Sequence, residues 1–178
     1  MMERTSVVSR NTKETEIQIS LNLDGSGKAD IQTGIGFFDH MLNSFARHGF
    51  FDLTVKVKGD LEVDTHHTIE DTGIVLGQAI KQAVGDKKGI VRYGSQILPM
   101  DESLVLCALD LCGRPYLVYD LDLDREKVGD LETEMVREFF YAVSYAAEMN
   151  LHIRQMAGMN NHHIIEAAFK AFAKALDS

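Results

Sequence analysis

Asp64-Thr65-His66-His67-Thr68-Ile69-Glu70 and Asn160-Asn161-His162-His163-Ile164-Ile165-Glu166 say the same thing twice. Both read His-His-x-x-Glu, 96 positions apart, and both run into an alanine-rich amphipathic segment. On a helix, residues three and four apart share a face, so His66 and His67 can each meet Glu70. The two adjacent imidazoles diverge by about 100°. One metal cannot easily take both, whereas two metals, one on each side of the stripe, can.

Working outward from each copy, the chain repeats strand, turn, strand, helix, strand, His-His-x-x-Glu, helix. In the first half, residues 4–10 and 16–23 read as strands, and Glu16 to Leu23 alternates polar and apolar with period two. Asp24-Gly25-Ser26-Gly27 marks a turn, and Lys28 to Thr33 returns as a strand. Phe37 to His48 reads as a helix, Leu53 to Asp60 as a strand and Thr68 to Val84 as a long helix. In the second half, Ser103 to Leu111 and Tyr116 to Leu123 read as strands, Glu132 to Met149 as a helix and Leu151 to Arg154 as a short strand. Asn161 or a neighbour caps a last helix that runs to about Leu176. The expected fold is α+β and internally duplicated, with repeats at residues 1–90 and 91–178 in one compact unit. Each antiparallel-rich sheet is expected to carry helices on one face, about a pseudo-twofold axis.

At 178 residues the chain can bury a sizeable core. Hydrophobic content of 45% and charged content of 25% place it among ordinary globular proteins. A net charge of −9 argues against generic nucleic-acid or anionic-membrane binding, so a bound phosphate would need locally placed Arg and Lys. No apolar run reaches the length of a membrane span. Met1-Met2-Glu3-Arg4-Thr5-Ser6 lacks the apolar core of a signal peptide. Cys107 and Cys112 make no disulfide framework and read as free thiols in a strand-like run. Together these features imply a cytoplasmic protein.

Two copies of the motif supply four imidazoles and two carboxylates, a donor set suited to manganese, iron or zinc. A single copy is more often a solvated helix start; two copies in matching places favour a metal site. His40, in Phe37-Phe38-Asp39-His40-Met41, is a further candidate ligand. His48 reads either as a cation at a helix C-terminus or as pointing into the site. His152, in an alternating strand, reads as packing or as support for a ligand.

The chain resembles the imidazoleglycerol-phosphate dehydratase family of histidine biosynthesis over nearly its whole length. The residues that carry the resemblance are Thr12-Lys13-Glu14-Thr15, Leu23-Asp24-Gly25-Ser26-Gly27 and Gly36-Phe37-Phe38-Asp39-His40-Met41-Leu42. Asp64 to Asp71, Gly113-Arg114-Pro115-Tyr116 and Asn161 to Ala167 complete it. The resemblance implies a duplicated fold of the ribosomal protein S5 domain 2-like kind and a cofactor of Mn(2+), two per chain. It implies sites at subunit contacts of a 24-subunit homo-oligomer built from trimers. The implied metal ligands are His40, His66, His67, Glu70, Glu138, His162, His163 and Glu166; position 138 is His in some members of the family. Glu14 is implied as catalytic acid/base and substrate contact, with Arg92, Arg114 and Lys170 on the substrate phosphate and His48 among the substrate-binding residues. Members often continue past the last helix into a Ser/Lys/Gly-rich tail, whereas this sequence stops at Asp177-Ser178. It carries no added phosphatase domain.

The chemistry is consistent with that assignment. The substrate, a small phosphate ester, must lose a hydrogen from a carbon with no adjacent carbonyl to acidify it. Its imidazole ring must act as electron source and sink, which metal ions at the ring nitrogens favour, while a separate carboxylate moves protons. Arg suits bidentate phosphate contact and Lys a point charge. A different di-metal hydrolase or oxygenase, or a metal-storage protein, would use the same ligand set, but storage would need neither Glu14 nor clustered Arg and Lys.

Overall fold

A computed structural model describes residues 4–178; the first three positions of the expected first repeat lie outside the described residues. The first half forms a mixed sheet from β1 (Thr5–Asn11), β2 (Thr15–Asn22), β4 (Asp52–Gly59) and β3 (Ala29–Gln32), in that spatial order. Its helices are α1 (Gly36–Gly49) and α2 (His66–Val84). The second half forms a mixed sheet from β5 (Tyr93–Met100), β6 (Ser103–Asp110), β10 (Asn150–Ala157) and β7 (Tyr116–Asp120), with α3 (Glu134–Ala146) and α4 (Asn161–Asp177). Between β7 and α3 lies a two-residue-wide hairpin, β8 (Lys127–Val128) and β9 (Leu131–Glu132). In each sheet three strands pair antiparallel and the last pairs parallel, β3 with β4 and β7 with β10.

Helix α2 packs on β1 and β2, and α4 packs on β5 and β6. The helices then meet each other, α2 against α3 and α1 against α4, so four helices lie between two sheets. Period-two alternation puts Ile17, Ile19 and Leu21 of β2 into this core. Phe38, Phe139, Phe140, Phe169 and Phe172 tie the helices together, with Phe139 and Phe169 stacked at 5.2 Å. Helices α2 and α3 approach closely because two positions of α2 have no side chain. A Cβ on Gly73 would stand 2.8 Å from Ala142 Cβ, and one on Gly77 would stand 2.7 Å from both Ala146 Cβ and Val143 O.

The structure corrects several expected boundaries. Helix α2 begins at His66 rather than Thr68, so both histidines of the first motif are helical. Helix α3 is shorter than 132–149 and is followed by Glu148 in the left-handed region. Strand β5 was not expected. Its two faces are both apolar in Ile97-Leu98-Pro99-Met100, which erases the alternation. Tyr93 and Ile97 of β5, Tyr116 and Val118 of β7 and Met156 of β10 stand exposed on the outer face of the second sheet. The outer face of the first sheet is polar, with Ser9, Glu16, Gln18, Lys56 and Lys58. Both cysteines are free, and burial pushes the Cys107 thiol up. No helix among the described residues is long and apolar enough to cross a membrane.

Candidate active site

All four helices bring their N-termini to a single connecting segment. At α4 the Asn160 side chain accepts the N–H of His163, and Asn161 Nδ2 donates to Asp124 at 2.8 Å. At α1, Ile35 offers no side-chain cap, and Asp130 does the work from a distance: its carboxylate accepts the N–H groups of Gly36 at 2.6 Å and Phe37 at 2.9 Å. At α2, Thr65 bonds to Glu132 and the N–H of His66 donates to Asp64. Carboxylates here satisfy helix-end N–H groups and complement the helix dipole. The stretch 124–133 therefore ties α1, α2 and α4 to the start of α3 and fixes where both motifs stand.

His40 of α1 and His162 and Glu166 of α4 form a group whose candidate ligand atoms lie within 4.8 Å of one another. Glu166 Oε2 is 3.0 Å from His162 Nε2 and 3.6 Å from His40 Nε2, and the edge of Phe37 backs both rings. The other Glu166 oxygen accepts from Lys170 Nζ at 2.6 Å. Burial works to raise the Glu166 pKa, but the Lys170 hydrogen bond and charge, together with His162, hold the carboxyl below its usual range. An anionic carboxylate between two imidazoles has the donor chemistry a divalent cation needs, so these residues fit a metal. This is the one such group among the described residues.

The first motif is less complete within the chain. His66 Nε2 lies 3.3 Å from Glu70 Oε2. Glu138 pairs with its neighbour Arg137 at 3.1 Å, and His66, Glu70 and Glu138 do not close to the spacing of the other group.

The second histidine of each motif points elsewhere. His67 Nδ1 is 2.8 Å from Asp60, and His163 Nδ1 is 2.7 Å from Glu102. Hydrogen bonding to Asp60 raises the His67 pKa, and hydrogen bonding to Glu102 raises that of His163; Glu102 in turn is held well below the usual carboxylate range. A carboxylate at Nδ1 favours the tautomer that leaves Nε2 as the lone-pair donor, the arrangement of a metal ligand. Neither ring joins the His40, His162 and Glu166 group, and His163 Nε2 lies 3.5 Å from Asp101 Oδ2.

Glu14 is exposed in the β1–β2 turn, with its carbonyl accepting from Asp60 N at 3.1 Å, so it shares a wall with the His67 clamp. His48 sits in the last turn of α1; burial first, then the charge of Lys170, lowers its pKa. Arg92 pairs with Asp110 at 2.7 Å, and Arg114 is exposed in the turn before β7. Both stand at the far end of the second sheet: β6 runs its eight residues from Ser103, next to Glu102, to Asp110, a span of roughly 25 Å. They are not brought to the His40 group of their own chain. His152 lies exposed on the outer sheet face, so it does not pack in the core. Sequence reasoning missed Asp60, Glu102, Asp71 and Asp130. Aligning the two hairpins would have found Glu102, because it precedes β6 as Glu14 precedes β2.

Fold and site together define a duplicated α+β enzyme of the metal-capable kind, with a His-His-x-x-Glu helix start in each half. A sequence profile of imidazoleglycerol-phosphate dehydratase matches residues 33–176. The imidazoleglycerol-phosphate dehydratase of Lachnoclostridium phytofermentans is 71% identical over 99% of this chain and 90% of its own length. That of Acetivibrio thermocellus is 65% identical over the same shares. The crystal structure of the Staphylococcus aureus enzyme superposes with a TM-score of 0.88 at 42% identity, covering 97% of this chain and 96% of that one. The Pyrococcus furiosus enzyme, in complex with (S)-C348, gives 0.84 at 34% identity, covering 96% and 91%. The chain belongs to the imidazoleglycerol-phosphate dehydratase family, and its activity is that hydro-lyase step of histidine biosynthesis.

Proposed function

We propose that the dehydration runs at sites holding two Mn(2+) per chain, with Glu14 moving the proton, and that the sites are completed between copies in a homo-oligomer. The ligands in this reading are His40, His66, His67, Glu70, Glu138, His162, His163 and Glu166. The observation that carries it is the split within each motif. His162 joins Glu166 and His40, while its neighbour His163 stands outside that group, its Nδ1 clamped by Glu102 and its Nε2 3.5 Å from Asp101. A ligand held ready yet standing outside that group suits a metal shared with a second copy. The apolar outer face of the second sheet gives such a copy a surface to cover. The repeats, residues 1–90 and 91–178, each contribute one motif.

When bound, the metals would supply positive charge that favours loss of the ring N–H proton, and the electron-rich ring could then expel the hydroxyl of the carbon attached to it, which leaves with that proton as water. The chain's own residues do the rest. Glu14 takes the proton from the next carbon of D-erythro-imidazole-glycerol phosphate, and the enol left behind becomes the ketone of imidazole-acetol phosphate. Lys170, Arg92 and Arg114 hold the phosphate, the two arginines acting in the site of a neighbouring copy because of their distance from the His40 group. Half-buried His48, poorer in charge than a free imidazole, lies beside Lys170 and contacts the substrate in neutral form.

The test is metal removal and reloading. Chelated protein should lose activity and fall to smaller assemblies by light scattering. Reloading should restore both, with close to two manganese ions per chain by elemental analysis. A monodisperse monomer of full activity, or a stoichiometry below about one from the ligand count, would sink the reading.

A further inference from the structure

We infer that Asp71 is a positioning residue that fixes Glu14 from the metal-binding helix, an inference that rests on the role proposed for Glu14. Asp71 follows Glu70 on α2, so its side chain leaves the helix about 100° away from that of Glu70. It is buried, and it turns beneath the first hairpin instead of toward the ligands. Asp71 Oδ2 accepts from Thr15 Oγ1 at 2.5 Å, and Arg10 Nη1 lies 2.5 Å from the same oxygen. Thr15 Oγ1 is 3.3 Å from Thr12 Oγ1. Thr12 Oγ1 receives the N–H of Glu14 at 3.1 Å and that of Thr15 at 3.0 Å.

Counting donors gives these bonds a direction. Each hydroxyl has one hydrogen. Thr15 gives its own to the carboxylate, so Thr12 must give its hydrogen to Thr15, and Thr12 is then free to accept both backbone N–H groups. The chain of donation runs from Glu14 through Thr12 and Thr15 and ends on the Asp71 anion. Such a chain polarises each bond in turn and is strongest when it ends on a charge. It fastens the backbone of Glu14 to the residue next to Glu70. The base and the metal helix thus become one rigid piece, although Glu14 itself is exposed. The second half lacks this device. The position matching Asp71 is Ala167, and Ser103, which matches Thr15, donates to Glu102 at 3.0 Å.

The experiment is a double-mutant cycle on the manganese-loaded oligomer with imidazoleglycerol phosphate as substrate. Thr15→Val and Asp71→Asn should each lower kcat by about 10–100-fold, the scale of a misplaced catalytic group, with KM and metal content little changed. Thr15→Ser should recover most of the kcat lost in Thr15→Val. In a Glu14→Gln background neither change should cost further, because both act through Glu14. Hydrogen exchange on the metal-free protein supplies a readout independent of turnover: the Thr15 N–H should lose protection in Thr15→Val while core strands keep theirs. Unchanged kcat in both variants, or losses that multiply fully in the Glu14→Gln background, would overturn the positioning role. A Glu14→Gln enzyme as fast as the parent overturns the reading of Glu14 instead, and this inference falls with it.

Discussion

Glu14 and Glu102 occupy the same place in the two halves, each the last residue before the second strand of its hairpin, and they have opposite fates. Glu102 is spent on His163, which it holds at 2.7 Å. Glu14 is exposed, and its half of the molecule clamps the matching histidine, His67, with a different carboxylate, Asp60. Two glutamates in matching places thus differ in partner: with Asp60 on His67, Glu14 is left without the histidine that its counterpart holds, which is where the role proposed for it begins. The two halves are alike in fold and in motif, and they differ in which carboxylate holds the second histidine.

The sharpest way to break this comparison is to neutralise both glutamates. Glu14→Gln should keep fold, assembly and metal load, and should lower turnover by roughly 10²–10⁴-fold, the usual contribution of a general base. Glu102→Gln should do the reverse. Its loss should appear as weaker manganese binding, by about 10–100-fold, as for other carboxylates behind a ligand histidine. Activity in that variant should return in excess manganese. Steady-state kinetics across a manganese titration separates the two. If Glu102→Gln fails at saturating metal as badly as Glu14→Gln, the division of roles is wrong.

Asp60→Asn sharpens the same contrast at somewhat smaller scale. It should resemble Glu102→Gln in metal affinity, because both remove the carboxylate at Nδ1 of a motif's second histidine. Asp60 also donates its N–H to the Glu14 carbonyl, a contact the substitution leaves in place. A drop in kcat at full metal occupancy would mean that the side chain of Asp60 acts on the base and not on the histidine.

A structural comparison gives a third, milder test. Helix α2 meets α3 through Gly73 and Gly77, whereas α4, its counterpart, presents Phe169 and Ala173 at the matching positions. Gly77→Ala should overpack that one interface and destabilise the chain by about 1–3 kcal/mol. Thermal unfolding of the metal-free protein reads this. An unchanged or raised Tm would mean that the two helices can move apart at no cost.

How much of this was legible in the sequence depended on the reach of the interaction. The strands of the first half showed themselves because one face is buried and the other wet, as in Glu16 to Leu23. Strand β5 did not, since both of its faces are apolar at Ile97 and Leu98. The trio His40, His162 and Glu166 spans two helices in different halves, yet it was legible through the repeat and the family resemblance together. Asp130 and Glu132, which fix the helix ends, were not, because they act across gaps of 94 and 67 residues from a segment with no pattern of its own. Asp71 was hidden differently: it stood in the quoted motif, and only its burial distinguishes it from a solvated helix carboxylate.

The smallest effect expected is on stability against pH in the metal-free protein, and it too turns on the two clamps. Asp60 and Glu102 raise the pKa of His67 and His163 above the ordinary 6.5. A group whose folded pKa is raised contributes stability that is fully present below its unfolded value and is lost as pH rises through the folded value. Metal-free protein should therefore lose stability from these pairs as pH climbs from about 6 to 8. His48 has the opposite sign: its lowered pKa favours folding at higher pH. The clamps are isolated by difference, comparing the parent with an Asp60→Asn, Glu102→Gln double variant at each pH. Both pairs are partly exposed and screened, so the parent's advantage in Tm over the double variant should be only about 1–2 °C. That advantage should be larger at pH 6 than at pH 8, and it should shrink in high salt. Manganese should invert the trend in the parent, because it needs both rings deprotonated and binds more tightly as pH rises. A metal-free parent whose advantage over the double variant grows with pH would show that the carboxylates do not hold these histidines in their charged form.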